Sequence, residues 1–196
     1  YEEREALVRE YETAETLSRT ANGNLRQQAR LDLQTYVQRR YFKQIVGEAN
    51  RRLAPMSGGR FLLRCRELDA LGRQQEAGLD LDVYDMVTDR VRDVKTLSGG
   101  ESFLAALSMA LGMADVVQKT AGKVRLDTMF IDEGFGSLDE ESRGKAIGIL
   151  QGLAGETRLV GIISHVTELK EQMDRKLVVC KGEKGSRVKW QMESFE

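Results

Sequence analysis

The chain has 196 residues, 41% of them apolar and 31% charged, with a net charge of −1, a balance that suits a globular protein with one sizeable core. No apolar run approaches the roughly 20 residues of a bilayer-spanning helix, and Tyr1-Glu2-Glu3-Arg4 carries neither an initiator Met nor a signal-peptide core, as expected for an internal part of something longer. Cys65 and Cys180 stand far apart with no second thiol or histidine at ligand spacing, which indicates neither a disulfide framework nor a zinc site and fits a reducing cytoplasm.

Residues 1–21 are rich in Glu, Arg, Ala and Thr. Leu7, Tyr11, Ala14 and Ala21 follow the alternating spacing of a coiled-coil seam, interrupted at Ser18. A single amphipathic surface helix fits the same residues. Asn22-Gly23-Asn24 reads as a break, and a second helix is predicted over about 31–53, with Leu33, Val37, Tyr41, Ile45 and Ala49 on its apolar face. Pro55 and Ser57-Gly58-Gly59 stop it. Charge is distributed unevenly: Arg26 to Arg66 holds ten Lys or Arg against Asp32 and Glu48, whereas residues 1–20 hold six Glu against three Arg. The basic stretch can face solvent, a nucleic-acid backbone or a protein partner.

The period then changes to two. Phe61, Leu63 and Cys65, and later Leu79, Leu81 and Val83, predict two strands, antiparallel and partly solvated. Helical spacing returns from Glu101 to about Val117. Thr128 to Ile131 reads as a short buried strand, 140–153 as a helix, Leu159 to Ile163 as a second buried strand and 167–173 as a short helix. Strands at 177–180 and 188–190 close the chain. Alternation of strand and helix in this half implies an α/β core with a parallel sheet.

Three features carry chemistry. Asp132-Glu133 directly follows an apolar strand, and α/β folds bind ligands outside the carboxyl ends of their strands. There an Asp can hold Mg²⁺ and the adjacent Glu can polarise a water for attack on a phosphoryl group; the same pair can be a solvated turn. Leu97-Ser98-Gly99-Gly100-Glu101 ends a loop and opens a helix, which makes an anion site from backbone N–H groups freed of side chains. Ser98 and Glu101 equally make a capping box, and the two readings are compatible. His165, the only histidine, closes Ile162-Ile163-Ser164 and so emerges at a strand end as well. A P-loop, Gly-x-x-x-x-Gly-Lys-Ser/Thr, occurs nowhere: Gly144-Lys145 has Asp139 where the first Gly is needed, and Gly122-Lys123 has Val117. The chain alone is therefore not expected to hold ATP well.

Together these motifs resemble the C-terminal lobe of an ABC-type P-loop ATPase head: signature motif at Leu97 to Glu101, Walker B at Met129 to Glu133, D-loop at Ser137-Leu138-Asp139 and switch histidine at His165. The wording of Lys95 to Phe103 and of Asp132 to Asp139 is similar to the SbcC type of SMC-like DNA-repair ATPase, as are Asn50 to Ala54 and Met56 to Arg60. The resemblance implies an α/β lobe over 56–196 with a parallel-sheet core and flanking helices, and a helical coiled-coil base over 1–55.

It further implies ATP and Mg²⁺ as ligands, with Asp132 serving the metal, Glu133 the general base and His165 near the γ-phosphate. Ser98, Gly99 and Gly100 would reach the nucleotide of a second head, and Asp139 would communicate across that interface. The implied partners are the N-terminal P-loop lobe of the same protein, a second head, a metal-dependent nuclease subunit and DNA, in the cytoplasm, with no membrane. Glu101 stands where transporters commonly carry Gln and Thr128 is less apolar than usual, which argues against a transporter lobe. A structural chromosome-organising SMC head, without a nuclease, is the alternative reading.

Overall fold

The structure, a computed structural model, describes residues 2–22, 32–67, 78–120, 122, 126–156, 159–182 and 185–192. It divides into two compact units, 1–126 and 127–196. The break expected at Gly23-Asn24, and Arg26 and Arg30 of the basic stretch, lie outside the described residues.

In the first unit, helix α1 spans Glu2–Ala21 and α2 spans Leu33–Met56. Leu7, Tyr11 and Leu17 of α1 are all exposed. Asp32 caps α2 by accepting the Thr35 N–H at 2.6 Å. Pro55 sits inside the last turn, and Ser57, Gly58 (φ 64°) and Gly59 (φ 72°) make the stop that the sequence marks. The apolar face of α2 differs from the expected one. Leu33, Val37 and Tyr41 are exposed, whereas Val46, Ala49, Leu53 and Met56 are buried.

α2 packs on helix α3, Gly99–Thr120, whose Gly112 lies against Ile45 and Ala49 and whose Asp115 and Lys119 pair with Arg52 and Glu48; Leu104, Leu107, Leu111 and Ala114 of α3 are buried. Among the described residues α3 alone is long and apolar enough to cross a membrane by length and composition. This corrects the expectation that no segment is, although Leu104, Leu107, Leu111, Ala114 and Val116 of this helix are buried. At the crossing Gly112 is required. A Cβ there would stand 2.7 Å from both Ala49 N and Ile45 O, backbone atoms that cannot swing aside. Gly112→Ala is therefore expected to lower stability by about 1–3 kcal/mol despite Ala's better helix propensity, measurable as a lower denaturant midpoint.

Strands β1 (Phe61–Cys65), β2 (Leu81–Asp85) and β3 (Arg90–Asp93) form an antiparallel sheet in that order. Phe61, Leu63 and Val83 turn one face into the core. Asn50 docks the sheet on α2: its amide donates to Leu63 O at 2.8 Å and accepts the Leu63 N–H at 2.9 Å. β2 starts two residues later than predicted, and β3 has no counterpart in the sequence reading.

Three arginines of the basic stretch, Arg39, Arg52 and Arg66, brace the fold internally, while Arg51, Arg60 and Arg64 are exposed. Buried Arg39 donates to the carbonyls of Gly78 and Arg66, Arg52 pairs with Asp115 at 2.6 Å, and Arg66 forks onto Asp82 and reaches Asp93. Arg51 meets Glu48 at 3.0 Å, and Arg64 lies over the Tyr84 ring. Arg40 and Lys43 of α2 remain exposed.

In the second unit β4 (Thr128–Asp132) pairs in parallel with β5 (Leu159–Ile163). Helix α4, Glu140–Glu156, packs on β5, and α5 spans Thr167–Glu171. β6 (Arg175–Gly182) and β7 (Gly185–Met192) form an antiparallel hairpin, longer than the predicted strands. The sequence reads β4 and β5 as buried, and the structure corrects this. Ile131 is buried, but Phe130 is 71% exposed, and Leu159 and Ile163 are exposed as well. Parallel strands are ordinarily covered on both faces. Here, among the described residues, the sheet has two strands and one bare face. Phe130 lies over Gly161, its register partner, where a Cβ would meet the ring at 2.6 Å.

Candidate functional site

The catalytic-type residues lie in the second unit, at the carboxyl edge of the parallel pair. Asp132 ends β4, and Glu133 continues the ladder by donating its N–H to Ile163 O at 2.9 Å. Its φ of +54° is left-handed, a conformation that costs a non-glycine residue roughly 1 kcal/mol or more. Gly134 follows at φ 91°, then a 3₁₀ turn over Phe135–Ser137 whose Phe135 is fully buried. The Ser137 hydroxyl donates to Gly134 O at 2.7 Å. The chain thus reverses within a few residues of Asp132 and is pinned by an aromatic anchor, which leaves both acidic side chains exposed at the strand end.

Ser164 and His165 follow β5. His165 Nδ1 lies 3.0 Å from Glu133 Oε1, joining residues 32 positions apart. A carboxylate can only accept, so with Glu133 ionised Nδ1 carries the proton. Both side chains are more than half exposed, open to a ligand. Asp139 begins α4 and spends its carboxylate on the cap: Oδ1 accepts the Ser142 N–H at 2.8 Å and Oδ2 the Ser142 hydroxyl at 2.9 Å. No group of three or more potential metal ligands occurs among the described residues. Mg²⁺ does not require one, since it keeps several waters and is held through one or two carboxylates plus substrate phosphates, and exposed Asp132 suits that role.

The glycine-rich motif lies in the first unit. The capping box is formed. The Ser98 N–H donates to Glu101 Oε2 at 2.9 Å, and the Glu101 N–H to Ser98 Oγ at 3.3 Å. The Ser98 hydroxyl accepts in the cap, so its own proton remains available, and Ser98 and Gly99 are exposed at the positive end of a 22-residue helix. The loop before it is fastened to the sheet. Asp93 accepts the Lys95 N–H at 2.8 Å, and that bond, with the Arg66 guanidinium behind it, holds the Asp93 carboxyl below the ordinary carboxylate range.

Sequence reasoning missed Arg92 and Asp93, which support this motif. β3 carries three charges around one exposed valine and so shows no hydrophobic period.

With this order of elements, the motif at the head of α3 and the acidic turn after β4, the chain has the fold of the C-terminal lobe of an ABC-type P-loop ATPase head. The fold agrees with solved structures. An SMC ATPase studied for ATP-driven dimerisation and DNA-stimulated activation matches with a TM-score of 0.60 at 17% identity, over 80% of this chain and 88% of that one. The Smc head domain of Pyrococcus furiosus, solved with an extended coiled coil and the C-terminal domain of ScpA, matches with a TM-score of 0.58 at 17% identity, over 81% and 37%.

In sequence the chain is similar to the SbcC/RAD50-like family. The family's Walker B model matches residues 75–152. The SbcC polypeptide of the nuclease SbcCD from Vibrio cholerae is 49% identical over 96% of this chain and 18% of its own length. Its namesakes from Staphylococcus epidermidis (47%; 74% and 14%) and Treponema pallidum (44%; 88% and 16%) are similar. The chain spans less than a fifth of the length of these relatives.

Proposed function

We propose that this chain is the signature and Walker B half of an ATPase head whose ATP-driven dimerisation gates a DNA-processing nuclease. The observation that carries this reading is the Glu133–His165 pair at the carboxyl edge of a parallel sheet that, among the described residues, has only two strands and one bare face.

In this reading a P-loop lobe of the same protein contributes the remaining strands and holds the substrate triphosphate. Asp132 would hold Mg²⁺, which would supply positive charge against the phosphates. Glu133 accepts a proton from the attacking water as its oxygen bonds to the γ-phosphorus and the bond to the β-phosphate oxygen breaks. His165 orients the Glu133 carboxylate by donating its Nδ1–H and lies near the γ-phosphate. Ser98, Gly99 and Gly100 offer a hydroxyl and backbone N–H groups to the nucleotide of a second, identical head. Asp139, besides capping α4, faces that interface. Residues 1–55 form the end of a coiled coil and the linking helix, residues 56–196 the lobe, and the exposed apolar residues of α1 suit a coil partner. The whole works in the cytoplasm with a metal-dependent nuclease subunit on DNA ends and hairpins.

The purified chain is expected to show no ATP turnover, and addition of the P-loop lobe to restore it. Robust turnover by the chain alone would overturn the half-site reading. Its structural neighbours are SMC heads, so a chromosome-organising head without a nuclease is the second reading. Affinity purification of the whole protein separates them by the presence or absence of a copurifying nuclease.

A further inference from the structure

Arg92 belongs to none of the motifs that define the lobe, yet its guanidinium touches both sides of the Ser98 loop. It projects from β3 and is about a quarter exposed. Nη1 donates to Thr96 O at 3.1 Å and Thr96 Oγ1 at 2.9 Å, just before the motif. Nη2 lies 3.7 Å from Glu101 Oε1, just after it. Nε is buried without a hydrogen bond, 3.5 Å from Asp85 Oδ2. The Glu101 oxygen not facing Arg92 accepts the Ser98 N–H, so a two-step chain runs from the guanidinium through Glu101 to Ser98. Thr96 is pinned in turn, its hydroxyl donating to Asp93 O at 2.7 Å.

We propose that Arg92 is a positioning residue for Ser98, Gly99 and Gly100: it fixes the loop against the sheet and neutralises Glu101, so that an anionic triphosphate can approach the helix end. This rests on reading Ser98 to Gly100 as the contact to a partner head's nucleotide. Charge neutralisation sets the role apart from simple packing. Glu101 is one turn from where the phosphate must arrive, and an unpaired carboxylate there repels it. A planar fork that binds a carbonyl, a hydroxyl and a carboxylate at once is a task for Arg rather than Lys.

The test uses the protein with both lobes present, in a Glu133→Gln background, and measures the protein concentration at which heads dimerise in Mg²⁺-ATP. Arg92→Gln is expected to raise that concentration by about tenfold or more, the usual scale for losing charge-assisted hydrogen bonds, while the ATP affinity of the separate heads stays unchanged. Adding Glu101→Gln, which keeps the capping oxygen and removes the charge, is expected to recover part of the loss. A role confined to fold stability would show no such recovery, and thermal unfolding of each variant reports it directly. Unchanged dimerisation in Arg92→Gln, or a loss that Glu101→Gln leaves in place, overturns the proposal. Ser98→Arg serves as reference: if it too dimerises normally, the underlying reading of the motif fails, and with it the proposal. If only Arg92→Gln dimerises normally, that reading stands and the role of Arg92 falls.

Discussion

Glu133→Gln, made in the protein with both lobes present, is expected to reduce ATP hydrolysis by about 10²–10⁴-fold, the range lost with a general base, and to lengthen the life of the ATP-bound dimer. The amide keeps the shape of the carboxylate and can still meet His165 Nδ1, but it cannot take a proton from water. Nucleotide binding therefore survives while the step that releases the heads is blocked. Single-turnover phosphate release and gel filtration in ATP read the two effects separately. Turnover at the wild-type rate would remove Glu133 from the chemistry and leave its contact with His165 as architecture only.

The second large effect is expected from Ser98→Arg. The substitution removes the hydroxyl that accepts the Glu101 N–H, a cap worth about 1 kcal/mol. It also places bulk and a positive charge where backbone N–H groups should meet phosphate. Each head should still bind ATP, because in the reading proposed above that site lies with the other lobe, but dimers should vanish at concentrations where the wild type is fully associated. Ser98→Ala gives the comparison, losing the cap without the obstruction, and should dimerise more weakly yet measurably. Persistence of Ser98→Arg dimers in ATP would show that this helix end lies outside the interface.

Where local chemistry decides a conformation, the sequence is enough. Ser98 and Glu101 three residues apart announce their capping box, and the Gly134-Phe135-Gly136 turn after an apolar strand puts Asp132 and Glu133 at the edge. The meeting of His165 with Glu133 is legible only as two strand ends on one sheet edge; the parallel register of β4 and β5 makes it a contact. The expected α2 face fails for a geometric reason. At 3.6 residues per turn a strict four-residue spacing advances about 40° each step, so Leu33 and Ala49 lie on different sides of the helix. Within the basic stretch a count of charges does not show which carbonyls and carboxylates the fold brings beneath Arg39, Arg52 and Arg66. β4 and β5 read as buried because their residues are those of a buried strand, while no layer among the described residues covers Phe130, Leu159 and Ile163.

The bare side of that parallel pair also bears on how such a protein is made in a cell. Unpaired strand edges beside exposed apolar side chains recruit other chains as readily as the right one. A ribosome that released this segment without its complement would release an aggregation-prone orphan, a client for chaperones and proteases. The complementary half is thus the solubiliser of this one as well as its catalytic counterpart, and joining the two in one polypeptide, in the reading proposed above, keeps their supply matched.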